Sequence, residues 1–391
     1  MAATGVAVPP ATARLWRWWG HQLNSRDNSL NLVRLVLALS VLYFHSWPLG
    51  GFIGSPAIAG VPLGAWAVDA FFCISGYLIT GSRLAKPLGT YLVHRAARIY
   101  PAFWVCMLVI VTLFAPVDYA RTHGSLDGYL TAPGVTPINF LILNATLRIG
   151  SYGVGDTLAS APYPVAWDGS VWSLYYEFVC YLVIAGLAAL AWWRRNAWVS
   201  VVAFAVSVVA AANATVLAPY IGSNADALTV LGLIPFFLGG ACVQMLRHKL
   251  PLHWSGAIAA LVGIAICISV SPVWGPPLAG VFLTYLLLWL GSAIPSPKII
   301  HRHDISYGVY IYAFPVQQSL ATFGANHHGV ILYALAATAL TIPFAVASWL
   351  LVERPVMRRA RRSERAAAPP KLAVPTDSVA VLPAAPTRAT A

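Results

Sequence analysis

The apolar run from Leu30 to Trp47, LNLVRLVLALSVLYFHSW, constrains this chain most, because it is long enough to cross a bilayer yet contains an arginine and a histidine. A charged side chain inside hydrocarbon costs a few kcal/mol, so an ionisable residue kept within a membrane span indicates a function. Arg34 and His45 stand roughly 16 Å apart along a helix that rises about 1.5 Å per residue. One helix therefore carries a cation near one membrane face and an imidazole towards the other.

The same kind of run recurs along the chain. Apolar residues make up 59% of the sequence and charged residues only 9%, whereas soluble domains are about half apolar and about one-quarter charged. We predict an all-α, polytopic membrane protein with about ten transmembrane helices in one bundle. The predicted spans lie near 30–47, 62–83, 99–115, 171–192, 198–214, 228–246, 255–271, 276–291, 305–323 and 329–352.

The basic residues between the spans predict the orientation. They cluster before span one, in alternate links and after span ten, while the opposite links carry only Arg121 and Arg148. Positive residues favour the inner side, so both termini are expected in the cytoplasm. We expect a partly disordered cytoplasmic segment at 1–27, with an interfacial piece at 15–19, a membrane domain at 28–356 and a disordered cytoplasmic tail at 357–391. The polar stretch 116–170 is expected as an external loop over the site.

Composition also argues against two other kinds of protein. The net charge of +12 is spread over these short clusters, a pattern that orients membrane proteins, so we expect no nucleic-acid partner. All five cysteines fall inside predicted spans, with spacing that fits neither a zinc site nor a disulfide framework. The loop histidines lack further ligands at suitable spacing, so we expect neither a metal nor a permanently bound cofactor.

In this orientation the ionisable residues form two groups. His45, Asp69 and Glu177 converge on the outer half of the membrane, because span one runs outward and spans two and four run inward. The arginines at 34, 95 and 98 gather towards the cytoplasmic side, where guanidinium groups can bind phosphates through bidentate hydrogen bonds.

Purely structural roles explain the same residues as well. Arg34 can extend to the headgroups, and Arg95 and Arg98 fit a purely topological role. The carboxylates can be structural partners between helices. An aromatic belt explains Trp172 and Tyr176 as well as sugar binding does.

Five further sequence motifs indicate the family. They are DAFFCISGYLI from Asp69, HRAARIYP from His94, WSLYYE from Trp172, ISYGVYIYAFP from Ile305 and LVERP from Leu351. In this order, with the arginine-to-histidine spacing of span one, the chain resembles the acyltransferase-3 family of integral membrane O-acyltransferases, which modify bacterial surface and secreted glycans.

The resemblance implies an acyl-CoA donor, acetyl-CoA above all, used from the cytoplasm. It also implies a bacterial inner-membrane location and an acceptor hydroxyl on an exopolysaccharide, an O-antigen or a lipid-linked saccharide. Polysaccharide-assembly proteins are further expected partners.

Within this family pattern His45 is the expected general base, and either Asp69 or Glu177 orients it. Arg34, Arg95 and Arg98 are the expected donor-binding residues, and Trp172 and Tyr176 the expected sugar-binding ones. Many family members carry a histidine where this chain has Ala313, which leaves His45 as the single expected proton carrier.

Two other classes of function compete with an enzyme. A transporter or flippase of a lipid-linked saccharide would also use a helical bundle with intramembrane charges. Such transporters often have two similar halves, and no convincing repeat relates spans one to five to spans six to ten, which favours the enzyme. The remaining alternative is a regulatory protein that only binds acyl-CoA.

Overall fold

Helices make up most of the described structure, which covers residues 21–24 and 27–367 of a computed structural model. The predictions for 1–20, Arg26 and 368–391 lie outside these residues. The helices are α1 (Leu30–Gly50), α2 (Leu63–Ala85), α3 (Leu88–Val109), α4 (Ala115–His123), α5 (Pro137–Leu143), α6 (Trp172–Leu187), α7 (Ala191–Arg195), α8 (Ala197–Ala212), α9 (Ala214–Leu217), α10 (Ala225–Met245), α11 (Trp254–Val270), α12 (Gly275–Ala293), α13 (Lys298–Arg302), α14 (Ser306–Thr322), α15 (Val330–Ala347) and α16 (Arg354–Ala367). A two-residue antiparallel hairpin pairs β1 (Ala57–Ile58) with β2 (Val61–Pro62).

Several of these helices have the length and apolar character of membrane spans. Among the described residues six qualify, namely α1, α2, α10, α12 and the continuous helices Leu88–His123 and Val330–Glu364. The bent pair formed by α8 and the helical segment that follows it is a seventh candidate, and α6 and α11 are shorter apolar helices. The prediction of a helical, polytopic membrane protein is confirmed, and the count of ten spans stays a prediction.

Helix α1 begins at Leu30, as the sequence predicts, and continues to Gly50, past the predicted end of span one near residue 47. Its end at Gly50 is followed by Gly51 with φ of 75°, a left-handed conformation that suits glycine and returns backbone N–H groups to the last carbonyls. At its start, the backbone N–H of Ser29 donates to the carbonyl of Gly291, and its hydroxyl donates to the carbonyl of Ile294. The end of α12 therefore holds the start of α1.

Helix α14 lies in the middle of the bundle, against α1 and α15, and every residue from 306 to 318 is buried. Its polar side chains fasten the surrounding elements. The Gln317 amide donates to the Leu42 carbonyl and the Ser46 hydroxyl, both at 2.9 Å. The Gln318 amide donates to the carbonyls of Tyr163 and Ala166. Helix α14 thus joins α1 to the long loop that precedes α6.

Helices α2 and α10 touch through their backbones. A Cβ atom at Gly76 would lie 1.9 Å from the carbonyl oxygen of Phe237, and one at Gly240 would lie 2.2 Å from that of Cys73. Small residues allow such close helix contacts inside membranes, where dispersion replaces the hydrophobic effect. This contact fixes α2, which carries Asp69 and Ser75, against the bundle.

The predicted external loop starts later than expected. A π-helical segment, Ile110–Phe114, continues α3 into α4, so the chain is helical up to His123. The loop up to residue 171 is then held internally. The Asp118 carboxylate accepts from the Leu158 N–H at 2.7 Å, and the Asn144 side chain accepts from the N–H of Gly150. The loop covers the bundle end where α1 finishes, and a Cβ at Gly51 would lie 3.1 Å from Pro162.

Residues 357–367, which we expected in a disordered tail, instead form most of α16. This helix continues from α15 through the π-helical segment Ser348–Glu353. The Glu364 carboxylate accepts a hydrogen bond from the Lys86 ammonium at 2.9 Å and lies 3.3 Å from the His94 ring. The basic composition of residues 357–367 predicts a solvated segment. The contact of Glu364 with Lys86 and His94 is a tertiary one, which local composition does not reveal.

Candidate functional site

A cavity of about 770 Å³ opens at the bundle end that contains the start of α1 and α16. Its volume lies within the range of about 300–1,000 Å³ that is typical of small-molecule and cofactor sites. Guanidinium groups dominate its charge, and the arginines that line it are Arg34, Arg95, Arg98, Arg302, Arg354, Arg358 and Arg361. The cavity therefore has the size and charge to bind a large anion.

Asp304, which was not predicted from the sequence, organises the inner wall of this cavity. One oxygen accepts from Arg34 at 2.6 Å and from Arg98 at 2.7 Å, and the other accepts from the N–H and hydroxyl of Ser306 in the first turn of α14. Burial alone would raise the pKa of Asp304, but the two guanidinium groups and Ser306 lower it to about 2. Asp304 is therefore ionised at neutral pH. Its sequence signal is its place just before a predicted helix.

Glu353 forms a second buried ion pair with Arg98, although Glu353 itself does not line the cavity. It is 1% exposed, accepts from Arg98 at 3.0 Å and also accepts from the Ser348 hydroxyl. This burial and pairing give Glu353 a structural role.

The three predicted donor-binding arginines all line this cavity, but their states differ. Asp304 and Glu353 balance the charges of Arg34 and Arg98. Arg95 has no ion pair with any described residue, and its buried Nε atom has no hydrogen-bond partner there. Arg95 is therefore the member of this trio whose charge is available to a ligand.

A second, smaller cavity of about 40 Å³ lies deeper in the bundle and shares Arg34 with the large one. Glu177 lines it and accepts hydrogen bonds from the hydroxyls of Ser75 at 2.6 Å and Tyr181 at 2.7 Å. Ser75 and Tyr181 also line the large cavity. Glu177 therefore lies between the two cavities.

His45 lies nearer the opposite end of α1, half-buried beside Phe314. The two rings meet edge to face, with centroids 5.2 Å apart. Neither of the two cavities is lined by His45 or Asp69. Among the described residues, no hydrogen bond joins His45 to Asp69 or Glu177. No ion pair joins these three predicted catalytic residues in the described structure either, and one oxygen of Glu177 accepts from both Ser75 and Tyr181.

The long loop reaches this region through Gly169. A Cβ at Gly169 would lie 2.8 Å from the ring of Phe314, so the loop and His45 both contact this phenyl group. The neighbouring Asp168 was not predicted; it is 3% exposed and accepts from the N–H and hydroxyl of Ser170. Its second oxygen is buried without a partner in the described structure, and burial raises its pKa to about 7.

The two predicted sugar-binding residues lie at the same end of the bundle. The ring of Trp172 meets that of Tyr176 edge to face at 5.6 Å. The Tyr176 hydroxyl donates to Asp226, which also accepts from Arg148 in the loop, both at 2.9 Å. Tyr176 therefore fastens α6 to α10 and the loop.

These features define a multi-pass membrane protein with an arginine-lined cavity at one end and a histidine below a loop at the other. Residues 27–350 match the family profile described as Acyltransferase domain, so the chain belongs to the acyltransferase-3 family and is a membrane O-acyltransferase.

Two full-length relatives are each 26% identical. They are Nodulation protein 10 of Rhizobium leguminosarum bv. viciae, over 85% of this chain and 93% of the relative, and an O-acetyl transferase of Shigella phage Sf6, over 85% and 97%. The Peptidoglycan O-acetyltransferase OatA of Listeria monocytogenes is 27% identical over 43% of this chain and 25% of its own length. No solved structure matches the chain.

Proposed function

We propose that this protein moves a short acyl group, first of all acetyl, from acyl-CoA to a hydroxyl of an extracytoplasmic glycan. The observation that carries the proposal is the arginine-lined cavity, whose inner wall includes Arg34, on the same helix as His45. The names of two relatives, an O-acetyl transferase and a peptidoglycan O-acetyltransferase, support acetyl as the group and a glycan as the acceptor.

The large cavity is the proposed donor site. Coenzyme A combines several phosphate charges with a long, narrow pantetheine arm that ends in the thiol. Charge-assisted, bidentate hydrogen bonds from guanidinium groups suit the phosphates, and Arg95 is free to make them. The arm would pass Arg34 towards the small cavity beside Glu177. In the proposed orientation this mouth opens to the cytoplasm, and the protein lies in a bacterial inner membrane with both termini inside. The basic links between the predicted spans support the cytoplasmic side.

His45 is the proposed general base. Its imidazole takes the proton from the acceptor hydroxyl as the oxygen attacks the thioester carbonyl, and it returns this proton to the departing CoA thiolate as the C–S bond breaks. The ester and free CoA are the products, so atoms and charge balance.

An aromatic barrier separates the small cavity from His45 in this structure. Tyr310 and Phe71 line the small cavity with rings 5.9 Å apart, and Phe314, one helical turn beyond Tyr310, contacts the histidine. Transfer therefore requires these rings to move when the donor arm enters. Rotations of this kind are small local steps compared with the movements of domains.

Replacement of His45 by alanine tests the proposal. Loss of a general base lowers rates by about 10²–10⁴, so mass spectrometry of the native glycan should show the acyl ester gone, with polymer length and export unchanged. His327→Ala, which removes a loop histidine, is the matched control and should keep the ester. A persisting ester in the His45 variant at normal membrane levels would exclude His45 as the base. Loss of glycan export would instead favour a transporter.

A further inference from the structure

We propose that α16 forms the phosphate-binding wall of the large cavity, with Arg354, Arg358 and Arg361 binding the phosphomonoester of coenzyme A. The inference rests on the proposed function and adds the residues that recognise one part of the donor. The family match ends at residue 350, so these three arginines lie outside the matched region. They are nevertheless part of the cavity lining.

The spacing of the three arginines places them on one face of α16. Positions 354, 358 and 361 follow an i, i+4, i+7 pattern, and all three side chains line the cavity. Arg359 and Arg362 occupy the neighbouring face and do not line the cavity, although Arg358 and Arg361 are as exposed as they are. One helix thus carries two arginine pairs, 358 with 361 and 359 with 362, that differ mainly in direction.

Ion pairs near both ends of α16 hold this face over the cavity. At the start, Glu353 immediately precedes the helix and pairs with Arg98 of α3 at 3.0 Å. Three turns later, Glu364 pairs with Lys86 at 2.9 Å and contacts His94 at 3.3 Å. Because α3 and the residue Lys86 before it anchor the helix at two points, the arginines between those points face the cavity in a fixed direction. A solvated basic tail would have no such constraint.

The α16 arginines differ from the deeper ones in whether a carboxylate neutralises them. Carboxylates already neutralise Arg34 and Arg98. The α16 arginines that line the cavity have no carboxylate within 4 Å in the part of the chain that the structure describes. A phosphomonoester carries about −1.5 to −2 charges near pH 7, and arginine presents a planar fork of donors to it. The excess positive charge near the mouth therefore fits this group better than it fits an uncharged arm.

Anionic lipid headgroups share the phosphate chemistry, so the test includes both sources. The full-length protein, purified in nanodiscs of phosphatidylcholine, is titrated with CoA and with 3′-dephospho-CoA. In the double variant Arg358→Ala/Arg361→Ala, we expect the Kd for CoA to rise about tenfold or more and that for dephospho-CoA to change less than about twofold. The matched variant Arg359→Ala/Arg362→Ala should bind both ligands as the unaltered protein does. Thermal unfolding verifies that both variants are folded.

Other outcomes would overturn the assignment. Equal CoA affinity in the two double variants would show that these arginines do not bind the donor. An equal loss for CoA and dephospho-CoA would show that they do not recognise the phosphomonoester. A second set of nanodiscs contains phosphatidylglycerol as well. If the cavity-side variant binds CoA normally but loses the stabilisation that phosphatidylglycerol gives the unaltered protein, the ligand is a lipid headgroup. An unaltered protein that binds no CoA would refute the proposed function itself, and this inference with it, before any variant is compared.

Discussion

Replacing Asp304 by asparagine should destabilise the protein measurably, because this carboxylate holds two guanidinium groups together. It accepts hydrogen bonds from Arg34 at 2.6 Å and from Arg98 at 2.7 Å. Asparagine has nearly the same shape and keeps an oxygen acceptor for Ser306, so the substitution removes the charge and little else. Arg34 would then have no charged partner among the described residues.

Two independent arguments give a similar size for the stability that Asp304→Asn would remove. The difference between a folded-state pKa of about 2 and the usual value of 3.8 corresponds to about 2 kcal/mol in favour of the folded protein at neutral pH. Breaking a buried ion pair costs about 3–5 kcal/mol, and the partial exposure of Arg34, 23%, and Arg98, 14%, brings this towards the lower end. We expect a loss of about 2–3 kcal/mol.

The contribution of Asp304 to stability depends on pH in a definite direction. Because the pKa of Asp304 is lower in the folded than in the unfolded chain, its contribution is complete above about pH 4 and is lost as the pH falls towards 2. Thermal unfolding of the purified protein should therefore separate the variant from the unaltered protein at pH 7, with the gap closing as the pH falls below 4.

Two comparisons isolate the charge. Asp304→Ala also removes the acceptor for Ser306 and should cost about 1 kcal/mol more. Combining Asp304→Asn with Arg34→Gln should cost less than the sum of the single changes, since the second change removes the orphaned cation. A variant Asp304→Asn as stable as the unaltered protein at pH 7 would refute the assigned role of this ion pair.

Two further predictions concern the loop over His45. Asp168→Asn should stabilise the protein at pH 8 but hardly at pH 4. The folded-state pKa of Asp168 is raised to about 7, so the ionised carboxylate destabilises the folded protein increasingly as the pH rises between those values. An equal effect at both pH values in thermal unfolding would contradict the argument that burial raises this pKa. Gly169→Ala should lower the stability of the protein by about 1–3 kcal/mol and slow acyl transfer, because the new Cβ would displace the Phe314 ring that contacts His45. Unchanged stability and unchanged glycan acylation would show that the ring adapts freely.

The class of protein follows from the sequence alone. Apolar runs of bilayer length can only be helices, because backbone groups in hydrocarbon must satisfy one another within a segment. The anomaly of Arg34 and His45 in one such run, together with the ordered strings from Asp69 to Pro355, is local information, and it was sufficient to predict the family. The end of α1 at Gly50 was equally local, since a left-handed glycine terminates it.

The partners of each charge depended on tertiary structure. Asp304 meets Arg34 and Arg98 across 270 and 206 residues of sequence, and Glu177 meets Ser75 across 102 residues, separations at which periodicity and propensity carry no information. The same reason explains why the basic run after Glu353 was expected to be a disordered tail. Its conformation depends on ion pairs with Arg98 of α3 and with Lys86 just before α3, and only the assembled bundle brings those charges within reach.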